Sequence, residues 1–199
     1  MGSAARIDEI HLLTIEEFLA TPRILFGPAW RYELHDGVVV AQAGPSDRHA
    51  IILGNLATML GNQTIDSRDC TLFDGGVVVP RGKKKANARV PDATVKCGRG
   101  DEQSVYMFEV VSPADEVGKE LRTLRRQDLK SVPGAQALVE IRQDVPIVHV
   151  HRLVGDLWAY EDIVGIGQTL SLEGAGLKLP LERLYRKVYE EPELDQDET

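Results

Sequence analysis

The sequence has only two cysteines, Cys70 and Cys97, which make no disulfide framework and no zinc motif. It also has no apolar run as long as a membrane-spanning helix. The first residues lack the basic and then apolar pattern of a signal peptide. These absences exclude a disulfide-stabilised secreted domain and a helical membrane protein, and we expect a cytoplasmic protein.

The net charge of −8 at pH 7 disfavours nucleic-acid binding, but the charge is unevenly distributed. Residues 190–199 hold six acids and no base, so the rest of the chain is near −2. Two basic clusters lie in that remainder: Arg81, Lys83, Lys84, Lys85 and Arg89, then Lys119, Arg122, Arg125, Arg126 and Lys130. Each cluster could meet phosphates or could be a solvated loop or helix face.

The length of 199 residues, with 43% hydrophobic and 27% charged residues, fits one soluble α/β or α+β domain. We find no internal repeat and no domain linker. The expected organisation is a lead-in at residues 1–12, a single domain at residues 13–189 and a disordered acidic tail at residues 190–199.

Local patterns predict the helices and strands. Thr14 and Glu17 form a capping box, and Asp36-Gly37 predicts a hairpin turn. Apolar residues at helical spacing predict a helix after Ser46. Further strands are predicted at residues 70–79, 88–96, 105–111, 137–141, 147–152 and 157–160, and helices at residues 112–130 and 181–189.

One predicted strand contains a single acidic residue. Residues 105–111 are otherwise β-branched, aromatic or apolar, so Glu109 carries a large desolvation cost unless something compensates it. Residues 88–96 form the preceding strand, with Pro91 at an edge or at the strand start. Residues 97–104 can turn the chain, so the two strands are expected to form a hairpin.

This hairpin brings two carboxylates together. With its centre between Gly100 and Asp101, Asp92 faces Glu109 at a Cβ separation of about 4.5–5.5 Å. The like charges repel, and a hard cation such as Mg²⁺ or Mn²⁺ removes the repulsion. Alternatively, Asp92 caps a turn and Glu109 pairs with a lysine or arginine. A register slip of one residue would send the carboxylates to opposite faces.

Three histidines are weaker candidates. His49 lies on the apolar stripe of the helix after Ser46, where a core or boundary histidine is more common than a ligand. His149 and His151 share one strand face and could ligate a metal. No third ligand accompanies them at a diagnostic spacing, so a plain exposed strand face is the favoured interpretation.

The basic helix at residues 112–130 has one cation that points partly inward. On a helical wheel Arg125 falls between the apolar residues Leu121 and Leu129. The other basic residues lie on the opposite side and are expected to be solvated: Lys119, Arg122 and Arg126.

The motifs together resemble a known family. They are Tyr-Glu-Leu-His-Asp-Gly at residues 32–37, His49 opening a helix, Pro91-Asp92, and Glu-Val-Val-Ser-Pro at residues 109–113. This order resembles the Uma-two-like family, bacterial proteins described as restriction endonucleases in the PD-(D/E)XK nuclease superfamily. The likeness covers roughly residues 13–188. It implies a restriction-endonuclease-like α+β fold, with a mixed, mainly antiparallel sheet flanked by helices.

The resemblance also implies a site. Asp92 and Glu109 match the two acids of the superfamily motif, and Glu33 matches an early glutamate of the family. Together the three would hold one Mg²⁺ or Mn²⁺, which would activate a water and stabilise charge on a phosphate. His49 is a possible accessory residue. The opposed-strand argument reaches the Asp92–Glu109 pair without family knowledge.

The sequence departs from the family pattern at the basic residue. The superfamily lysine two positions after Glu109 is replaced by Val111. The family typically moves that lysine to the next helix, where this chain has Arg125, and a usual tyrosine one turn later is Leu129. Arginine can stabilise phosphate charge but is a poor general base at neutral pH. Lys119 is a further, accessory candidate.

Three functional hypotheses follow. The leading one is a metal-dependent nuclease acting on DNA, with Asp92, Glu109 and Arg125 as catalytic residues. The second is a catalytically impaired nuclease-fold protein that acts as a homodimeric nucleic-acid- or protein-binding module. The third is a structural oligomerisation domain, which requires basic side chains rather than a metal to neutralise the carboxylates. None of the three involves a membrane.

Overall fold

The computed structural model describes residues 12–27, 29, 31–81, 86–112 and 119–189, without the side chains at positions 23, 101 and 119–121. Its helices are α1 (Ile15–Ala20), α2 (Asp47–Thr64), α3 (Lys119–Lys130) and α4 (Leu181–Leu184). Its strands are β1 (Arg31–His35), β2 (Val38–Gln42), β3 (Cys70–Asp74), β4 (Ala93–Cys97), β5 (Ser104–Val111), β6 (Ala135–Arg142), β7 (Ile147–Val154), β8 (Leu157–Val164), β9 (Thr169–Leu172) and β10 (Leu177–Pro180). None of the described helices is long and apolar enough to cross a membrane.

Six strands form the main sheet in the order β3-β4-β5-β6-β7-β8. Only the β5–β6 pair is parallel, and α3 connects these two strands. The expected α+β fold with a mixed, mainly antiparallel sheet is therefore confirmed. Gly134, at a φ of +74°, turns the chain from α3 into β6; a Cβ there would lie 1.9 Å from the carbonyl oxygen of Gln103.

The β4–β5 hairpin has the register that the sequence predicts. Ala93 pairs with Phe108, and Cys97 pairs with Ser104, so the symmetry centre lies between Gly100 and Asp101. The alternation of β5 places Phe108 against α2 and Glu109 on the face that α3 covers.

The sheet carries a hydrophobic layer on each face. On one side α2 buries Ile52, Leu56 and Leu60 completely. On the other side α3 buries Leu129 against Met107. Glu109 therefore lies in the layer between the sheet and α3, where a charged side chain is stable only with a partner.

A separate hairpin approaches the sheet from the α3 side. In β1–β2, His35 pairs with Val38 around Asp36-Gly37, and both turn residues have positive φ (51° and 85°), as the sequence motif predicts. Leu34 also bridges Ala88 through backbone hydrogen bonds of 3.0 Å. This bridge fixes β1 beside the segment that leads into β4.

Three predicted elements are shorter in the structure. The strand predicted at residues 70–79 ends at Asp74, because Gly75 turns the chain at a φ of +61°. In place of the strand predicted at residues 88–96, the regular strand begins only at Ala93. It starts just after Pro91 because proline has no N–H to donate to the sheet. The helix predicted at residues 181–189 ends at Leu184.

The prediction that the cysteines make no disulfide is wrong. Cys70 and Cys97 are bonded to each other across the β3–β4 pair, where they lie directly opposite. The sequence interpretation treated residues 70–79 as an independent strand and did not pair it with β4. Several other predictions concern residues outside the described ranges: the lead-in, the lysines of the basic loop, residues 113–118 of the helix predicted at residues 112–130, and the acidic tail.

Candidate functional site

Asp92 lies at the entry to β4, opposite Glu109 by continuation of the hairpin register. Its Oδ2 accepts a hydrogen bond of 2.7 Å from the backbone N–H of Val110. This bond fixes the carboxylate against β5, one residue beyond Glu109. The predicted proximity of the two acids is confirmed.

Glu33 reaches the same place from β1. Its side chain is completely buried, and its Oε1 accepts a hydrogen bond of 2.8 Å from the backbone N–H of Val90. Its Oε2 lies 2.9 Å from Nε2 of His35. The bridge between Leu34 and Ala88 brings β1 alongside this segment, so the third acid arrives through a contact that is remote in sequence.

Arg125 lies between Glu33 and Glu109. Its Nε donates to Oε2 of Glu109 at 3.2 Å and its Nη2 to Oε1 at 2.9 Å. Its Nη1 donates to Oε1 of Glu33 in a short contact. A fourth bond, of 3.2 Å, runs from Nη2 to the carbonyl oxygen of Val90. The partly inward direction predicted for Arg125 is confirmed, and its guanidinium links all the segments of the site.

Asp92 also contacts two basic side chains, Arg31 and His49. Nη1 of Arg31 donates to its Oδ1 at 2.8 Å, and Nε2 of His49 lies 3.4 Å from the same oxygen. His49 is therefore a partly buried boundary residue at the edge of the site, which agrees with the favoured sequence interpretation of a core or boundary histidine; whether it is a ligand stays a prediction. Arg31 was not a candidate, although its alternation with Glu33 on β1 places both on one strand face and could have suggested it.

A second buried ion pair supports the site. Arg89 donates to Oδ2 of Asp128 through Nε at 3.0 Å and Nη2 at 2.5 Å. Its Nη1 lies 3.5 Å from Oε2 of Glu33. Residue 89 belongs to the basic loop cluster of the sequence and residue 128 to α3, so this pair fixes α3 to the loop beside Glu33.

The acids differ in how their surroundings affect ionisation. Burial opposes the charge on Glu33, but the hydrogen bond from His35 and the charge of Arg125 outweigh it and lower the pKa to about 2. Burial likewise opposes the charge on Asp92, and contact with His49 lowers its pKa. Burial raises the pKa of Glu109; Arg125 opposes this rise, and the charges of Asp92 and Glu33 add to it.

Arg125 remains a cation in this setting. Burial disfavours its charge, but the carboxylates of Glu109 and Glu33 outweigh burial and raise its pKa. The site thus contains three carboxyl groups that are crowded together and a permanent cation that reduces their repulsion.

The site opens into a cleft of about 1150 Å³. Arg122 and Arg126 line it beside Arg125, and both are paired with Glu140, at 3.3 Å and 2.8 Å from its Oε1. Side chains from the β1 hairpin, the start of α2, the β4–β5 hairpin and α3 all meet in this cleft. It is large enough for part of a nucleic-acid backbone or a similar polyanion.

The residue types at the site suit a divalent cation, but their present arrangement does not. Carboxylate oxygens are the ligands that Mg²⁺ and Mn²⁺ prefer. Each carboxylate oxygen of Glu33, Asp92 and Glu109, however, has a partner among the described side chains and N–H groups. In the described ranges no group of three or more His, Cys, Asp or Glu side chains is arranged to hold a metal ion. The set fits an ion only where Arg125 has withdrawn.

Other predicted candidates lie away from these acids. His149 and His151 share one face of β7, as predicted, beyond β6 from Glu109. Val111, two residues after Glu109, is buried, and Leu129 packs against β5. The side chain of Lys119 lies outside what the structure describes.

A mixed sheet with three acids and an arginine in one cleft is a nuclease-like arrangement, and comparisons agree. A putative nuclease belonging to DUF820 from Anabaena variabilis has a similar solved structure, with a TM-score of 0.63 and 18% sequence identity over 87% of this chain and 97% of that one. The family described as "Uma2: Putative restriction endonuclease" matches residues 15–182. The chain therefore belongs to the Uma2 family. No curated protein matches it.

Proposed function

We propose that the chain is a metal-dependent nuclease that hydrolyses phosphodiester bonds of DNA in this cleft. The observation that carries the proposal is the convergence of Glu33, Asp92 and Glu109 from three separate segments on one open cleft, beside Arg125. Membership of the Uma2 family supports the same activity. A purely structural core would not need three carboxylates at the base of a cleft.

Mg²⁺ or Mn²⁺ is the proposed cofactor, and Glu33, Asp92 and Glu109 are the residues that would hold it. When bound, such an ion supplies a water of lowered pKa and charge stabilisation for the phosphate. Once Arg125 is displaced, the carboxylates of these three acids favour a cation.

The protein's own cations would then handle the substrate. Arg125 has a planar fork of donors that suits two phosphate oxygens as well as two carboxylate oxygens. Displaced from Glu33 and Glu109, it would face the cleft from α3, beside Arg122 and Arg126. We propose that Arg125 stabilises the negative charge of the reacting phosphate, and that the other two arginines position the DNA backbone.

The test is cleavage of supercoiled plasmid DNA in the presence of Mn²⁺. Wild type should convert the plasmid to nicked and linear forms, whereas Glu109→Ala and Asp92→Ala should be inactive. Glu161→Ala is the matched control, because Glu161 is an exposed acid that pairs with Arg152 outside the acid cluster. Equal cleavage by wild type and Glu109→Ala would assign the activity to a contaminant.

A second candidate is a nucleic-acid-binding module without catalysis, acting as a homodimer. It is favoured by Val111 in the place of the superfamily lysine and by the complete pairing of the carboxylates with basic groups. This candidate predicts DNA binding without cleavage, with unchanged affinity in Glu109→Ala. Light scattering would measure whether the chain is a dimer, and a monomer would remove that part of the proposal.

A further inference from the structure

The face of the sheet that holds Glu109 continues from α3 to the edge strand β8, where Tyr160 is exposed, whereas Glu140 and His151 on the way are buried. Backbone register aligns Glu109 with Glu140 on β6, His149 on β7 and Asp162 on β8. The neighbouring row carries His151 and then Tyr160. Three strand spacings separate β5 from β8, on the order of 14 Å. The surface therefore starts at the candidate site and ends at the edge of the sheet.

Aromatic rings lie beside one another on this face. Tyr160 is 57% exposed, and its ring centroid lies 6.1 Å from that of His149 with an interplanar angle of 22°. It also lies 5.0 Å from the ring of His151. The Tyr160 hydroxyl donates to Oδ1 of Asp162 at 2.5 Å, which holds the ring in place. An exposed, immobilised ring on a sheet face is a stacking platform.

Cations border the rings on the side of the cleft. Nζ of Lys130 lies 5.4 Å from the Trp158 ring centroid and 3.0 Å from Nδ1 of His151. Arg126 is bonded to both oxygens of Glu140, so the acid beside the rings is already neutralised. Burial, and then the charge of Arg126, lower the pKa of Lys130.

We infer that this surface, defined by Trp158, Tyr160, His149, His151 and Lys130, binds unpaired nucleotides of a DNA strand that passes through the cleft. Rings with adjacent cations recognise bases by stacking and phosphates by charge. Duplex DNA cannot use the rings, because its bases are already stacked on one another. The inference rests on the proposed function in taking DNA as the ligand.

The test measures binding of labelled oligothymidylate and of a labelled duplex by fluorescence anisotropy in EDTA, where cleavage does not interfere. Tyr160→Ala should weaken single-strand binding about tenfold, within the range for loss of one stacked base. Tyr160→Phe keeps the ring and should retain affinity. Tyr189→Ala is the matched control, because Tyr189 is an exposed tyrosine stacked on Tyr185 away from this surface.

A second variant tests the charge. Lys130→Gln should reduce the slope of the logarithm of the single-strand binding constant against the logarithm of the salt concentration by about one, which corresponds to one lost phosphate contact. The inference is overturned if wild type does not bind oligothymidylate or if Tyr160→Ala binds it as tightly as wild type does. It is also overturned if Tyr160→Ala loses as much affinity for the duplex as for the single strand. The protein could bind single strands through Tyr160 and yet not cleave DNA. That result would reject the nuclease proposal but would support this inference.

Discussion

Arg125 caps both oxygens of Glu109, with its Nε 3.2 Å from Oε2 and its Nη2 2.9 Å from Oε1. The same guanidinium contacts Glu33. It therefore occupies the space in which a bound cation would meet these two acids. The protein carries its own counter-ion at the site that the sequence assigned to a metal, and the two cations should compete.

Removing this counter-ion should destabilise the fold. Arg125→Gln removes the cation that lies between Glu33 and Glu109, and losing one partner of a buried ion pair is strongly destabilising. Because Arg125 is 26% exposed, we expect a smaller cost of about 2 kcal/mol in the free energy of unfolding, measured by urea denaturation in EDTA.

The matched control for that experiment is Arg152→Gln. Arg152 pairs with Glu161, which is half exposed, so its loss should change the free energy of unfolding by less than about 0.5 kcal/mol. Equal stability of Arg125→Gln and wild type would show that the bridge between Glu33 and Glu109 does not hold in solution.

Replacing the guanidinium by an amine should raise activity. Arg125→Lys introduces the residue type that the family resemblance implies for this helix, and lysine can lose a proton where arginine cannot. It also binds only as a point charge, which frees one carboxylate oxygen. We expect Mn²⁺-dependent plasmid cleavage to increase about 100-fold, the lower end of the usual range for an acid–base group. The double variant with Glu109→Ala should be inactive; an unchanged rate in Arg125→Lys would contradict this role.

Because of Glu140, the free energy of unfolding should depend on pH in the acid range. Burial opposes its charge, but contact with His151 and hydrogen bonds from Arg126 lower its pKa from 4.5 to about 2. The carboxylate therefore stabilises the fold fully above pH 4.5, and this contribution is lost as the pH falls towards 2. Such a shift corresponds to about 3 kcal/mol at most.

Glu140→Gln tests this linkage. The variant should be less stable than wild type at pH 7, and the difference should shrink as the pH falls below 4.5. Urea denaturation at a series of pH values measures the free energy of unfolding of both proteins. A difference that is independent of pH would mean that Glu140 contributes through packing or neutral hydrogen bonds.

The disulfide should stabilise the edge of the sheet. Cys70 and Cys97 are 27 residues apart, and closing a loop of this length contributes about 3.5 kcal/mol in the chain-entropy model. A reductant should therefore lower the thermal midpoint of wild type and leave the double variant Cys70→Ser/Cys97→Ser unchanged. Two reactive thiols in denatured, unreduced protein would contradict the bond.

Local chemistry predicted much of this fold. The glycines and polar residues before β5 fixed the hairpin register that brings Asp92 to Glu109, and the Thr14–Glu17 capping box forms as expected. These features involve neighbours in the sequence. The inward direction of Arg125 also followed from helical periodicity alone.

Contacts between remote segments were not predictable in the same way. Glu33 enters the site because β1 docks beside Ala88, and the resemblance, not periodicity, suggested it. The pairing of Asp92 with Arg31 depends on the same docking. The disulfide needed the β3–β4 pairing, which no short-range signal specifies.

The most direct test of the central claim is a calorimetric titration of Mn²⁺ into wild type, Asp92→Ala and Arg125→Gln. If the three acids form a cation site that Arg125 partly fills, wild type should bind one ion, Asp92→Ala should bind none, and Arg125→Gln should bind more tightly than wild type. Binding that is equal in wild type and Asp92→Ala, or absent from Arg125→Gln, would contradict the claim and leave the acids a structural role only.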